Sequence, residues 1–534
     1  MRDFFSRNRV LTGLTGLLLI PGWYEWGTGL TMLFAFIPLL IVMERLVALK
    51  SGGRKLFGLS FAGFLFWNFG ATWWINFASF FGLLTAVFVS SLFMATAVWL
   101  AFKAWQMWGR RIGLIAFIVF WLAFEFCYTH GEISWPWLTL GNGFAYNHRL
   151  IQWYEFTGVF GGSLWVLASN VLIFRTFFPV SGHAQLHRKN AILASALIVL
   201  PVLVSLAIYF TYKEEINPRK IVVVQPNIDP YLKFNDIPPL EQSKIQVDEA
   251  ERLVDSTVDY VVAPETSIMN NIWLHQMEQV PDIQMVRKFQ QQYPQLKYIT
   301  GIMCYQLYAP GEKLTATARE YGNGHYYDSY NSAIQIDSSD SIQIYHKSKL
   351  VIGVEKMPYP GLLKILKPLT LRLGGTFRSH NTQKERSVFT ASGDSAKIGT
   401  IICYESVYGE FVTEYVKKGA GLLFVMTNDG WWRNTPGHRQ HNSLSAIRAI
   451  ETRRGIARSA NTGISSFFNQ RGDMLQKLTW WKRGALIDEL NYNSRLTFYA
   501  RHGDYIGRAA FYLGWALLAT VLIKAFLKRI KRGR

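Results

Sequence analysis

Cysteine is scarce, with three in 534 residues. Cys127 falls in an apolar run, which leaves Cys304 and Cys403 either as one bridging pair or as two ordinary buried thiols. No internal repeat and no low-complexity segment occurs, so a solenoid array is not expected. Walker, Rossmann and metal-ligand patterns are also missing, and no nucleotide or metal cofactor is expected. A small-residue cleavage site is lacking after the first apolar run, where Pro21-Gly22-Trp23-Tyr24 stands. The N-terminal segment is therefore expected to be a retained span rather than a signal peptide. Acidic residues number 36 against 56 Lys and Arg, a formal net charge of +20. The most informative lack is of charge over long stretches: residues 56–102 contain no charged side chain.

A membrane span needs about 20 apolar residues, so 56–102 reads as two spans joined by a turn near residues 76–82. Residues 191–212 and 156–174 are further uncharged runs. Weaker candidates are 10–24, 26–43, 112–128 and 509–527, which gives about eight spans. Loop charge orients them. With the N-terminus inside, eighteen Lys and Arg fall on the inner side, and the short outer loops hold only Arg149. That asymmetry also accounts for much of the net charge, and nucleic-acid binding is not needed to explain it. Expected domains are therefore a bundle of about seven spans over 1–213, an extracytoplasmic domain over 214–505, and a last span with a basic cytoplasmic tail over 506–534.

Past residue 217 the pattern changes. Short β-rich runs stand at 220–225, 260–263, 298–303, 330–336, 342–345, 397–402, 422–426, 464–468 and 485–490. Helical stretches stand at 240–258, 286–292 and 439–454. The alternation predicts a layered α/β domain.

Three strand-end fragments carry residues suited to acyl transfer: Val-Val-Ala-Pro-Glu265, Tyr-His-Lys347 and Thr-Ile-Ile-Cys403. A thiol needs a base or a cation to become a nucleophile. A carboxylate just past an apolar strand suits a general base, and a lysine can stabilise an oxyanion. Taken singly, each has an ordinary explanation: a core cysteine, a helix cap and a solvated surface charge. His346 is a tempting base, but no Asp or Asn pattern orients it.

Together, in the order Glu, Lys, Cys, the fragments resemble the nitrilase superfamily. Glu355 follows Lys347 by eight residues, and this spacing resembles the bacterial apolipoprotein N-acyltransferases within it. Val-Val-Gln-Pro-Asn-Ile (223–228), Tyr330-Asn331-Ser332-Ala333, Cys403-Tyr404-Glu405, Thr427-Asn428-Asp429-Gly430-Trp431, Arg439-Gln440-His441 and Arg448-Ala449-Ile450-Glu451 are similar to that family too. Departures are Ala263 before Pro-Glu, Phe234 at a usual Trp, Ile352-Gly353-Val354 before Glu355, and Lys349 at a usual His. The resemblance implies a helical membrane bundle plus an extracytoplasmic αββα nitrilase-like domain in the bacterial inner membrane, with both termini cytoplasmic. It implies transfer of an acyl chain from a membrane phospholipid to the α-amine of an S-diacylglyceryl-cysteine on a lipoprotein, through a Cys403 thioester and without a cofactor. Glu265 would be the base, and Lys347 with the Tyr404 N–H would hold the oxyanion. Glu355 and Glu405 would position groups or bond as supports, and Phe234 and Arg149 would border the lipid. A monomer is expected. The other readings are a membrane-anchored carbon–nitrogen hydrolase using the same triad and a non-catalytic lipoprotein-binding scaffold. If Arg149 meets headgroups, charge reversal by Arg149→Glu should weaken use of phospholipid, and unchanged kinetics would reject that role.

Overall fold

The computed structural model describes residues 2–49, 51–178, 187–233, 236–356 and 379–533. Internal contacts divide the chain into two units. One comprises Met1–Trp73, Leu83–Thr211 and His502–Arg534, and the other comprises Trp74–Gly82 and Tyr212–Arg501.

The first unit is helical. Among the described residues, six helices are long and apolar enough to cross a membrane: Gly29–Val47, Phe80–Trp108, Arg110–His130, Tyr154–Phe177, Arg188–Thr211 and Tyr505–Lys524. The remaining two regions expected to span, 10–24 and the first part of 56–102, fall largely in the helices Arg2–Leu19 and Gly52–Thr72. These two meet backbone to backbone. A Cβ on Gly63 would lie 2.6 Å from the Thr12 carbonyl oxygen, and one on Gly16 would lie 2.5 Å from that of Gly63. Small residues permit such an approach where apolar burial alone does not drive helices together. Arg188–Thr211 leaves Leu193, Leu200, Leu203 and Phe210 exposed, as a lipid-facing helix would.

The carboxylate of Glu125 is buried in this bundle. Glu125 Oε1 accepts from Trp121 Nε1 at 3.0 Å and from the Leu140 N–H at 2.9 Å. It thereby ties the helix Arg110–His130 to the turn that starts at Leu140.

The second unit is built on two sheets. Strands β1 (Pro218–Gln225), β2 (Tyr260–Val262), β3 (Ile268–Trp273), β4 (Lys297–Leu307), β5 (Arg319–Gly322), β6 (His325–Ile336), β7 (Gln343–His346) and β14 (Gly484–Asn491) form an eight-stranded sheet with the order β14-β1-β2-β4-β6-β5. β3 pairs with β4 and β7 with β6 at its margin. Strands β8 (Val388–Ala391), β9 (Asp394–Ile402), β10 (Leu422–Thr427), β11 (Gly455–Ala460), β12 (Ser465–Phe468) and β13 (Met474–Leu478) form the six-stranded sheet β13-β12-β11-β10-β9-β8.

The central runs Ile-Val-Val-Val of β1 and Leu-Leu-Phe-Val-Met of β10 are wholly buried. Each has a parallel neighbour, and a strand covered on both faces has no place for polar alternation. The sheets pack face to face, with Tyr260 of β2 against Phe424 of β10 at 5.3 Å between ring centroids. Ser459 Oγ on β11 donates to the Val224 carbonyl on β1 at 2.7 Å. Helices Pro239–Glu251 and Pro281–Gln290 bury Val247, Ala250, Ile283, Val286 and Phe289 against the first sheet. Helices Gly409–Lys417 and Pro436–Thr452 belong to the second sheet's side. The layers are thus helix, sheet, sheet, helix.

Two helix bounds differ from the sequence reading for local reasons. The helix expected over 240–258 ends at Glu251, because Asp255 closes a turn by accepting the Thr257 N–H at 2.8 Å. The one expected from residue 286 begins at Pro281, since proline fits the first helical turn where its missing N–H costs nothing.

Replacing Glu125 by Leu would leave the Leu140 N–H buried without an acceptor, a loss of about 1–3 kcal/mol. We expect Glu125→Leu to lower the unfolding temperature in detergent and Glu125→Gln, which keeps an acceptor oxygen, to restore most of it. An unchanged Tm for the leucine variant would contradict this.

Candidate active site

Glu265 lies just past β2. The Ala263 N–H still bonds to the Ile299 carbonyl of β4 at 2.8 Å, and Pro264 then ends the ladder. The turn is held closely. Gly301 N donates to the Pro264 carbonyl at 3.2 Å, and Ser267 Oγ donates to the same oxygen at 2.7 Å. Thr266 is left-handed at φ +48°, a conformation that costs a non-glycine residue about 1–3 kcal/mol. A Cβ on Gly301 would sit 2.6 Å from Thr266 N, 2.7 Å from Pro264 O and 2.8 Å from Glu265 Cα. Only glycine admits this turn against β4.

Lys347 follows β7, and its N–H bonds to the Asn331 carbonyl of β6 at 2.8 Å. Its side chain is 1 % exposed. It donates to Glu265 Oε1 at 2.8 Å and to Glu355 Oε1 at 2.9 Å. Asn331 Nδ2 donates to the same two oxygens at 2.8 and 3.0 Å. Glu355 Oε2 accepts the Val351 N–H at 2.8 Å. Burial disfavours the Lys347 ammonium, but the Glu265 and Glu355 carboxylates outweigh it and hold the group well above the usual lysine range. Burial likewise pushes the Glu355 carboxyl up, and Lys347, the Val351 N–H and Asn331 together bring it below its ordinary value.

Cys403 directly follows β9 on the other sheet, in a left-handed conformation at φ +50° that begins a short 3-10 turn to Val407. Such a strained strand end projects a nucleophile out of the sheet. Its residue exposure is 9 %. Burial pushes the thiol well above its ordinary value; the Glu265 charge adds to that, and the Lys347 charge opposes it. Glu405 brackets both sides of the site. Its Oε1 accepts from Tyr345 Oη at 2.6 Å and from the Ser348 N–H at 2.7 Å, while its Oε2 accepts the Ile402 N–H at 2.8 Å. The residues next to Lys347 and next to Cys403 thus share one carboxylate.

Behind the thiol lies a buried polar set. His441 Nε2 lies 3.2 Å from the Cys403 carbonyl and 2.9 Å from Ser406 Oγ. Its Nδ1 lies 2.9 Å from Asp429 Oδ1, and Arg458 donates to Asp429 Oδ2 at 2.6 Å. Cys403, Asp429 and His441 bring ligand-type atoms within 4.8 Å of one another. Both Asp429 oxygens are already engaged, one by Arg458 and the other by His441 and Thr427 Oγ1. This arrangement is that of a brace under the nucleophile turn.

Glu265, Lys347, Glu355, Glu405 and Cys403 therefore meet between the two sheets. Tyr404 is buried next to the thiol, with its ring edge-on to Tyr408 at 5.2 Å. Arg149 belongs to the helical unit, where its guanidinium lies over the Tyr209 ring at 5.1 Å. Phe234 lies outside the described residues. Residues 428–437 form a 3-10 turn over Asp429–Trp432 and the start of a helix capped by Thr435. They border an open cavity of 330 Å³ lined by Asp229, Tyr231, Arg433, Trp480 and Trp481 among others.

The ordinary reading of His346 holds: its Nδ1 lies 2.7 Å from Ser332 Oγ, the ring stacks on Tyr330, and burial pushes it down to about 4. Cys304 is a free buried thiol against Ser332, pushed up to about 12 by burial, and Cys403 is free too. Asn331, Gly301, Asp429, His441 and Arg458 were not singled out as site residues from the sequence. Three of these positions lie in fragments that carried the family likeness, which was the available signal.

The two-sheet layering and the strand-end triad define a class, and comparison with known proteins agrees. The carbon-nitrogen hydrolase family model matches residues 220–495, more than half of the chain, and the chain belongs to that family. Residues 15–172 match the apolipoprotein N-acyltransferase N-terminal domain. The chain is 29% identical over 523 residues to the apolipoprotein N-acyltransferase of Chlorobaculum tepidum, covering 94% of each. It is 25% identical over 555 residues to that of Geobacter metallireducens, covering 99% of this chain and 97% of the relative. A Saccharomyces cerevisiae nitrilase-superfamily structure aligns with 52% of this chain and 90% of its own, at 13% identity and a TM-score of 0.36.

Gly301→Ala is expected to displace the Glu265 turn and abolish acyl transfer, while the far-ultraviolet circular dichroism stays that of the wild type. Retained activity would show that the turn tolerates the methyl group.

Proposed function

We infer that this chain is an apolipoprotein N-acyltransferase. The observation that carries the reading is the joint match of residues 15–172 to the N-terminal domain of those enzymes and of 220–495 to the hydrolase family. A hydrolase acting on a soluble amide has no use for a bundle of apolar helices, whereas a lipid-to-amine transferase does. Drawing one 16-carbon chain into water costs about 0.8 kcal/mol per CH₂, on the order of 12 kcal/mol. Chemistry on such a chain is better done at a lipid surface. The proposed arrangement is a bundle over 1–213 and 506–534 in the bacterial inner membrane, with 214–505 on its outer side.

The proposed route has two steps. The Cys403 proton passes to Glu265, and the sulfur electron pair attacks the ester carbonyl of a phospholipid. Lys347 and the Tyr404 N–H hold the oxyanion. The oxyanion collapses, the C–O bond breaks, and Glu265 returns its proton to the departing lysophospholipid. In the second step the α-amine of a diacylated lipoprotein attacks the thioester carbonyl. Glu265 takes the amine proton, the C–S bond breaks, and Glu265 passes that proton to the departing Cys403 sulfur, restoring the thiol. The 2.8 Å contact between Lys347 and Glu265 supports this assignment, because an ammonium fixed on the base also faces the thiol. Glu405 acts as a support here, since its partners are the Tyr345 hydroxyl and backbone N–H groups on both sides of the cleft.

Purified protein incubated with labelled phospholipid should carry an acyl group on Cys403 by peptide mass spectrometry, and Cys403→Ala should carry none. Added diacylated lipopeptide should collect the label on its amine. Release only as free fatty acid would favour the hydrolase, and no adduct on the wild type would reject both.

A further inference from the structure

A second buried ammonium stands beside the triad. Lys233 ends a tight turn begun by Asp229, whose carbonyl accepts the Lys233 N–H at 2.9 Å. The residue is 2 % exposed. Its Nζ reaches the Glu265 main-chain oxygen at 3.4 Å and Thr266 Oγ1 at 3.1 Å. Gln242 Nε2 fixes the Lys233 carbonyl at 2.7 Å. The partners described for this ammonium are a carbonyl and a hydroxyl, with no carboxylate in direct contact. A buried cation without an ion partner is costly, so its retention calls for a reason. Burial pushes it down to about 7, and the one charge opposing that is Glu265.

The charge count at the site supplies the reason. Two carboxylates, Glu265 and Glu355, share the single ammonium of Lys347. Lys347, the Val351 N–H and Asn331 bring Glu355 below its ordinary value, so its negative charge stands beside Glu265, and like charges at close range repel. A group that is to accept the Cys403 proton must begin as the anion. With Lys233 charged, the two carboxylates and two ammonium groups cancel. They still cancel after the proton moves, when the thiolate replaces the Glu265 charge.

We propose that Lys233 is a positioning residue acting through Glu265: its buried ammonium, held on the Glu265–Thr266 backbone, balances Glu355 so that Glu265 meets the thiol as a carboxylate. This rests on the reading of Glu265 as the group that accepts the Cys403 proton. The charges facing Cys403 are Glu265, Lys347 and Asp429, with the Thr427 hydroxyl near the thiol and His441 against the Cys403 carbonyl. Lys233 meets this group through the Glu265 carbonyl and the Thr266 hydroxyl rather than through a carboxylate.

The test is the rate of Cys403 alkylation by iodoacetamide against pH up to about 7, where Lys233 still carries its charge, measured on the full chain in detergent. It needs no acyl substrate, so its failure is separable from failure of the transferase reading. Lys233→Gln keeps a donor for the Glu265 carbonyl and Thr266 but loses the charge, and Lys233→Arg keeps the charge. The Gln profile should move to higher pH by about one unit, the lower end of what an opposite charge does at close range. The Arg profile should overlie the wild type. A Gln profile that overlies the wild type would overturn the proposal and leave Lys233 a hydrogen-bond donor only. Should Lys233→Gln fold poorly, Lys233→Met with a matched melting curve gives the same comparison, and an unshifted profile there would equally overturn it.

Discussion

The site depends on one buried ammonium. Lys347 touches two carboxylates at 2.8 and 2.9 Å and is almost wholly removed from water. An ion group so placed is a liability unless every partner is in position, because removing one partner of a buried pair costs about 3–5 kcal/mol. The surrounding structure reads as a response to that constraint. Asn331 spans both carboxylates with one amide nitrogen. Val351 holds the far oxygen of Glu355. Gly301 lets the Glu265 turn come down on β4. The first sheet therefore carries the charged half of the site with little freedom to rearrange.

The second sheet carries the nucleophile, and there the constraint appears as backbone strain. Cys403 and Thr266 are both left-handed non-glycine residues, each costing about 1–3 kcal/mol. Such geometry persists only where neighbours over-determine it. For Cys403 the neighbours are Ser406 Oγ and His441 at its carbonyl and Glu405 at the preceding N–H. Glu405 also holds the Ser348 N–H, so the strained turn and the ammonium are tied through one buried carboxylate. Burial pushes that carboxyl up, and the Tyr345 hydroxyl and two N–H groups oppose the shift. The two sheets are thus registered at the point where their chemistry meets.

Much of this was legible in the amino-acid order, and the reason is periodicity. β1 and β10 announce themselves as unbroken apolar runs, since both faces are covered. The three triad residues stand at the ends of such runs, where a change from apolar to polar marks a strand tip. β11 was not legible, because Gly-Ile-Ala-Arg-Ser-Ala lacks a β-branched run and carries Arg458, which reads as surface. In the structure Arg458 is fully buried against Asp429. β3, β5, β8 and β13 are short or marginal in their sheets, and edge strands do not need an apolar signature. Asn331 and Gly301 escaped for another reason. What they do depends on residues 66 and about 36 positions away in the chain, and no local pattern records such a pairing. The turn over Trp74–Gly82 reads locally as a link between two apolar helices, yet it clusters with the α/β unit, where the Trp74 ring meets Trp432 at 4.7 Å.

Burial of the nucleophile bears on the choice between water and amine. A thiol pushed well above its ordinary value is inert at rest, and on the proposed route it reacts only when Glu265 takes its proton. On the proposed route the same 9 % exposure that suppresses the free thiolate also shelters the thioester. Water then reaches the acyl group less readily than an amine delivered with its own lipid anchor. A soluble hydrolase of this family needs the opposite balance, with water as the second substrate. The charged half of the site is common to both outcomes. What separates transfer from hydrolysis is access to the sulfur, so it lies in the walls around Cys403 rather than in the triad.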